Sequence, residues 1–184
     1  MMKRLLPLLL LMPTAALAHP GHLGAASSFT NGWMHPVGGL DHVLAMVAVG
    51  LWAATATDRR GIWALPVTFV AAMLAGGAIG AAGIHLPAVE PMILASSVLL
   101  GLAVALALRP SLGFALPAVA LFGLMHGHAH GAEGPATGLA AYAAGFVLAT
   151  SALHLAGIGL GRLGATRFLG AATAAAGALL VVMP

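Results

Sequence analysis

The sequence predicts an all-α protein, a polytopic membrane helix bundle of about six transmembrane helices after a cleaved signal peptide. Of the 184 residues, 61% are hydrophobic and only 6% are charged, whereas soluble domains have about 45–50% apolar and about 25% charged residues. Six apolar windows, each long enough to cross a bilayer, follow one another between short joints. The chain contains no cysteine, which excludes disulfides and thiolate metal sites.

Residues 1–18 have the pattern of a secretory signal peptide. Lys3 and Arg4 precede an apolar run, and small residues at 16 and 18 form a cleavage pattern. Cleavage after residue 18 leaves residues 19–184 as one six-span transmembrane domain. An uncleaved anchor helix is the alternative, although an apolar run of about 14 residues is short for a span.

The charges of residues 19–184 exclude two classes of partner. This part of the chain has no lysine, so it cannot form the Walker loop that binds ATP. It also has no basic patch of the kind that binds nucleic acid. The lipid bilayer is therefore an expected partner of this part of the chain, and ATP and nucleic acid are not.

The predicted spans alternate so that arginine occurs on one side of the membrane only. The spans are Trp33–Ala56, Ile62–Ile84, Ala88–Leu108, Leu112–His130, Thr137–Gly159 and Gly164–Met183. The arginines between them are Arg59, Arg60, Arg109, Arg162 and Arg167. The positive-inside rule assigns their side to the cytoplasm, so we expect a bacterial inner-membrane protein whose mature N-terminus is periplasmic.

The first predicted span carries ionisable residues that are costly inside a bilayer. In a continuous helix His35, His42 and Met46 form one stripe, because positions i, i+7 and i+11 lie within about 20° of one another. Asp41 lies about 100° around the helix from His42, where it can share a cation or orient an imidazole of a neighbouring helix. The alternatives are a purely structural hydrogen bond between Asp41 and His42, and a core position for Met46.

A second cluster closes the fourth span. His126, His130 and Glu133 share one helix face at i, i+4 and i+7, a spacing at which imidazoles converge on a metal and a carboxylate ligates or tunes it. His128 faces away from this stripe. Glycines at 127, 131 and 134 are expected to weaken the helix, and a solvated periplasmic loop is the alternative.

Three further histidines are candidate metal ligands. His154 is isolated in the inner half of the bilayer, where it is either an inner relay for a cation or part of a hydrogen bond between helices. His19 and His22 would place two imidazoles at the mature N-terminus, suited to loose metal capture. Imidazole with carboxylate, in the absence of thiolate, suits a first-row divalent cation.

The two clusters resemble the motifs of the HupE/UreJ proteins, which are nickel or cobalt permeases associated with hydrogenase and urease maturation. The first motif, H-P-x-x-G-x-D-H-x-x-x-M, occupies residues 35–46; the second, H-G-x-A-H-G-x-E, occupies residues 126–133, with Met125 in place of the family's Phe. The resemblance covers essentially the whole mature chain. It implies a role in divalent-metal transport for His35, Asp41, His42, His126, His130 and Glu133.

We therefore predict a permease that passes Ni²⁺, or Co²⁺, from periplasm to cytoplasm, with no tightly bound cofactor. The alternative is a haem-b-binding membrane electron carrier with His42 and either His126 or His154 as axial ligands. An intramembrane hydrolase is disfavoured because the sequence has no HExxH motif and no G-x-S-x-G elbow, so no enzymatic activity is expected. The Gly- and Ala-rich spans indicate close packing, with a homo-oligomer interface as the alternative.

Overall fold

The computed structural model describes residues 25–56, 59–109 and 111–183, and within these ranges it contains seven α-helices and no strand. The helices are α1 Ala25–Gly38, α2 Leu40–Ala54, α3 Arg59–Ala81, α4 Val89–Ala105, α5 Leu112–Ala132, α6 Leu139–Gly161 and α7 Thr166–Val182. The predicted signal peptide and the candidate ligands His19 and His22 lie outside the described residues.

The helices have the lengths and surfaces of a membrane bundle. Among the described residues, α3, α5 and α6 are long and apolar enough to cross a bilayer, and α1 with α2 forms a fourth, bent unit. The apolar helices α4 and α7 have 17 residues each, the lower end of the range that spans a membrane. Large apolar side chains such as Phe114 and Phe168 point outward, with 68% and 74% of their surface exposed. The predicted fold class, a polytopic membrane helix bundle, is confirmed.

The predicted first span is wrong as a continuous helix. The helix begins at Ala25 rather than Trp33, and it breaks at Gly39, where α1 and α2 meet at 83°. Pro36 lacks an N–H for the helical ladder, and Gly39 is extended, with φ −108° and ψ 119°. His35 therefore lies on α1 while His42 and Met46 lie on α2, so the predicted stripe of three residues does not form. Spans two to six agree with α3–α7 to within three residues at each end.

Glycines bring α5 into backbone contact with α3. A Cβ added at Gly123 would lie 2.5 Å from the carbonyl oxygen of Phe69, and the carbonyl oxygens of Met73 and Gly77 similarly occupy the Cβ positions of Gly127 and Gly131. Such close approach is typical of small residues between membrane helices. The expected weakening of this helix is wrong, because α5 continues to Ala132 and its glycines serve the packing with α3.

The remaining packing places the histidines at one end of the bundle. Helices α1 and α2 pack on α6, α4 packs on α7, and α2 also contacts α4. An apolar core containing Met46, Leu51 and Phe69 fills the space between the helices. The histidines of the two predicted clusters lie beside this core, between the α1–α2 junction and the C-terminal half of α5.

Candidate metal centre

Four imidazoles from three helices meet beside the α1–α2 junction. His42 of α2 lies with its ring centroid 4.8 Å from that of His126 and 4.5 Å from that of His130, both on α5. The ring centroid of His35 on α1 is 4.6 Å from that of His130. The bend at Gly39 thus brings together side chains that we expected, from the sequence, to lie along one straight helix.

These residues form two groups with metal-binding geometry. In the inner group, His42, His126 and His130 each offer a ligand atom, and the three atoms lie within 4.8 Å of one another. The outer group also has three ligand atoms within 4.8 Å of one another, one each from His35, His130 and Glu133. Three nitrogen or oxygen ligands at this separation match the sites that bind first-row divalent metals. His130 belongs to both groups.

Several nitrogens in these groups are buried without a protein partner. His42 Nε2, His126 Nδ1 and both ring nitrogens of His130 have no hydrogen bond within the described part of the chain. A buried polar atom left unsatisfied costs about 1–3 kcal/mol. A neutral imidazole has one nitrogen with a lone pair and one N–H, so these three rings offer three lone pairs, which a bound cation would satisfy together.

Asp41 holds the imidazole of its sequence neighbour. In the first turn of α2, Asp41 Oδ1 lies 2.9 Å from His42 Nδ1. A carboxylate accepts the proton of Nδ1 and leaves the lone pair on Nε2, a buried nitrogen without a partner among the described residues. The hydrogen bond between Asp41 and His42, one of the alternatives that the sequence left open, is therefore present, and Asp41 orients the imidazole of its own helix.

A cavity of about 620 Å³ connects both groups with the surface. Its wall includes His35, His42, His130, Glu133 and Tyr142. The Glu133 side chain is 61% exposed and its Oε2 lies 3.5 Å from His35 Nε2. The completely buried His126 is behind this wall. An entering ion would therefore meet the outer group before the inner one.

Four predicted ligands within the described part of the chain lie outside these groups: Asp41, which contacts His42, Met46, His128 and His154. Met46 is completely buried in the apolar core. His128 is also buried, and its Nε2 lies 2.7 Å from the carbonyl oxygen of Ile84, the residue that follows the turn after α3. The structure thus brings neither Met46 nor His128 to the two ligand groups described here.

His154 lies deeper in the bundle, beyond an aromatic ring. It is 1% exposed, and neither of its ring nitrogens has a partner among the described residues. The Phe69 ring lies between it and the inner group, with centroids 5.1 Å from His154 and 5.5 Å from His126. His154 also lines a separate cavity of about 350 Å³ between α3 and α6.

The alternative of a haem site at His42 and His126 does not fit the geometry. Axial imidazoles must face each other across the porphyrin plane. Instead, these rings are 4.8 Å apart at an interplanar angle of 88°. The space between them cannot hold a macrocycle.

The structure adds three residues that the sequence did not indicate. Ser96 Oγ lies 3.0 Å from His126 Nε2, Phe69 separates the inner group from His154, and Tyr142 has a buried hydroxyl without a partner among the described residues. Ser96 and Tyr142 could have been noticed in the sequence, because one is a polar residue in an apolar span and the other is the single tyrosine of the chain. Nothing in the local sequence distinguishes Phe69 from any other apolar residue of a span.

Comparison with known proteins identifies the family of the chain. The family model described as HupE / UreJ protein matches residues 7–183. Protein HupE of Rhizobium leguminosarum bv. viciae is 44% identical, in an alignment that covers 94% of this chain and 93% of the relative. No solved structure matches the chain. With a family match over nearly its whole length, this membrane protein belongs to the HupE/UreJ family.

Proposed function

We propose that the protein is a permease that passes Ni²⁺, or Co²⁺, from the periplasm to the cytoplasm for the maturation of hydrogenase or urease. The observation that carries this proposal is the convergence of three imidazoles that each have a buried nitrogen without a partner among the described residues. They lie beside a cavity that opens to the surface, and a passing cation is the partner that explains their convergence. Membership of the HupE/UreJ family supports the choice of nickel or cobalt.

The ligand chemistry limits the cargo to a class of ions. The inner group offers three imidazoles, and the outer group offers two imidazoles and one carboxylate. Nitrogen-rich sites suit nickel, cobalt, zinc or copper(II), whereas calcium and magnesium prefer oxygen. The chain has no cysteine, so it lacks the thiolates that favour copper(I).

The shared ligand His130 suggests how an ion moves inward. An ion bound by His35, His130 and Glu133 can remain on His130 while His42 replaces the outer ligands. It then reaches the inner group, where His126 completes the set, without returning fully to water. Conduction requires several sites that bind weakly enough to release the ion, and neutral imidazoles meet this requirement. Beyond Phe69, His154 is the next available imidazole.

The proposed orientation follows from the distribution of charge. The outer group opens at the end of α5 that carries Glu133. Arg60, in the first turn of α3, and Arg162, which follows α6, lie at the other end. Arginine marks the cytoplasmic side of membrane proteins. The cavity lined by His35 and Glu133 is therefore assigned to the periplasm, from which a cation would be attracted by the carboxylates.

The proposal is tested by uptake of radioactive nickel in cells that express the parent protein or His130→Ala at matched levels. We expect His130→Ala to reduce uptake to the level of cells without the protein, because both groups lose a ligand. His85→Ala is the matched control, since His85 is exposed and belongs to neither group; its uptake should equal that of the parent.

Nickel uptake by His130→Ala equal to the parent's would overturn the proposed path. Competition with unlabelled cobalt and zinc in the same assay identifies the preferred metal. If only zinc competes, the assignment of nickel or cobalt as cargo is wrong although transport through the groups stands.

A further inference from the structure

Helix α4 supplies no histidine to the metal centre, but it supplies a hydroxyl. Ser96 is completely buried in the middle of α4. Its Oγ lies 2.6 Å from the carbonyl oxygen of Ile93 and 3.0 Å from Nε2 of His126. The side chain therefore connects one turn of α4 to the most deeply buried ligand of the inner group.

The two contacts determine the direction of the hydrogen bonds. A serine hydroxyl has one proton to donate, and a carbonyl oxygen can only accept. The short contact with Ile93 therefore uses the proton of Ser96, and Ser96 Oγ accepts a hydrogen bond from His126 Nε2–H. A neutral imidazole protonated at Nε2 carries its lone pair on Nδ1.

The nitrogen left with that lone pair is also the one that the protein leaves unpaired among the described residues. His126 Nδ1 is buried and has no partner among the described residues. His126 also belongs to the inner group, in which the ligand atoms lie within 4.8 Å of one another. The bond to Ser96 thus occupies one nitrogen and leaves the other for a cation.

We infer that Ser96 is a positioning residue that fixes His126 as the Nε2–H tautomer and presents Nδ1 to the cation. The inference rests on the proposed function for the identity of the ligand. Asp41 and Ser96 then have matching roles on two histidines. Asp41 bonds to Nδ1 of His42 and leaves the lone pair of Nε2 available, whereas Ser96 bonds to Nε2 of His126 and leaves the lone pair of Nδ1 available. Partners of this kind orient metal-binding histidines in proteins generally.

The adjacent residue provides a matched control. Ser97 is also completely buried on α4, and its Oγ donates to the carbonyl oxygen of Leu94 at 2.8 Å. Ser97 faces Gly177 of α7 instead of a histidine. Ser96→Ala and Ser97→Ala therefore remove the same kind of bond to the helix backbone, but only Ser96→Ala removes the bond to His126.

The first measurement determines the tautomer of His126 in the metal-free purified protein. The method is nitrogen NMR of labelled histidine side chains. The His126 signal is identified because it is lost in His126→Ala. We expect the Nε2–H form in the parent and in Ser97→Ala, and a mixture of tautomers in Ser96→Ala. A parent protein with His126 protonated at Nδ1 would overturn the inference without any variant.

The second measurement is the Kd for Ni²⁺ by calorimetry in detergent. Loss of a partner that orients a metal ligand typically weakens binding by about 10–100-fold, so Ser96→Ala should raise the Kd by at least about 10-fold. Ser97→Ala should leave the Kd near the parental value. Equal Kd values for the two variants would also overturn the inference. If the parent itself binds no nickel, the proposed function fails, while the tautomer measurement still tests the assignment of Ser96.

Discussion

The ligands of the inner group are held by partners of different charge. Asp41 supplies a carboxylate at 2.9 Å from His42, and Ser96 supplies a neutral hydroxyl at 3.0 Å from His126. A carboxylate raises the basicity of the imidazole that it orients, whereas a hydroxyl orients the ring without adding charge. We therefore expect His42 to be the stronger donor of the two to the proposed cation, and His126 to release that cation more readily.

At the scale of single residues, we expect Asp41→Asn to reduce nickel uptake about 10-fold, within the range found when partners of metal ligands are replaced. The amide can still accept the Nδ1 proton of His42, but the negative charge near the cation is lost. The measurement is the initial rate of radioactive nickel uptake in cells, with protein levels determined in parallel. Thermal unfolding in detergent is the control for folding, and uptake at the parental rate would contradict the role of Asp41.

The sequence predicted which histidines lie close together better than it predicted the residues that contact them. His126, His130 and Glu133 are recognisable because their spacing places them on one helix face, whichever helices surround them. Ser96 and Phe69 contribute through contacts with α5 from other helices. Which helices meet depends on packing between distant segments, and no local spacing encodes it.

At the scale of helices, the α1–α2 junction shows why one span was predicted incorrectly. Residues 33–56 are apolar over a length that fits a straight span. Apolarity does not show whether the helix continues straight or bends. The bend depends on backbone chemistry, with Pro36 in α1 and the extended Gly39 after it. The other span ends were predictable because Arg, Gly and Pro interrupt the apolar runs at the joints.

Gly39 and Gly38 provide a test of the junction. A Cβ at Gly39 would lie 2.8 Å from Asp41 Oδ1 and 2.9 Å from His42 Nδ1, whereas one at Gly38 would meet nothing within 4 Å. We expect Gly39→Ala to displace the Asp41–His42 pair and to lower nickel uptake at least several-fold. Gly38→Ala, the neighbouring control, should retain parental uptake. Equal rates for the two variants in the same assay would show that the contact at Gly39 does not matter.

At the scale of the whole molecule, the two ends of the bundle differ in chemistry. The cavity end carries histidines and Glu133, and the opposite end carries arginines, of which Arg167 donates from Nε to the carbonyl oxygen of Ala105 at 3.0 Å. Arginine therefore also closes the C-terminus of α4, where unpaired carbonyl groups favour a cation. The separation keeps these arginines away from the cavity lined by His35 and Glu133, as we expect of an entrance for a dication.

The orientation is testable because the chain has no cysteine of its own. Ser111 and Ala136 are exposed residues just beyond opposite ends of α5. A membrane-impermeant maleimide should label Ala136→Cys in intact cells with a permeable outer membrane, and it should label Ser111→Cys only after the inner membrane is opened. The reverse pattern would place the cavity on the cytoplasmic side.

The glycine contacts between α3 and α5 determine which parts of the protein can move when an ion leaves. Where two backbones touch, neither helix can roll or slide without steric overlap, so the pair behaves as a stiff frame. His126 and His130 belong to α5 and are therefore part of this stiff pair of helices. His35 and His42 lie on either side of a glycine break, and we expect these two rings to swing while the other two stay in place.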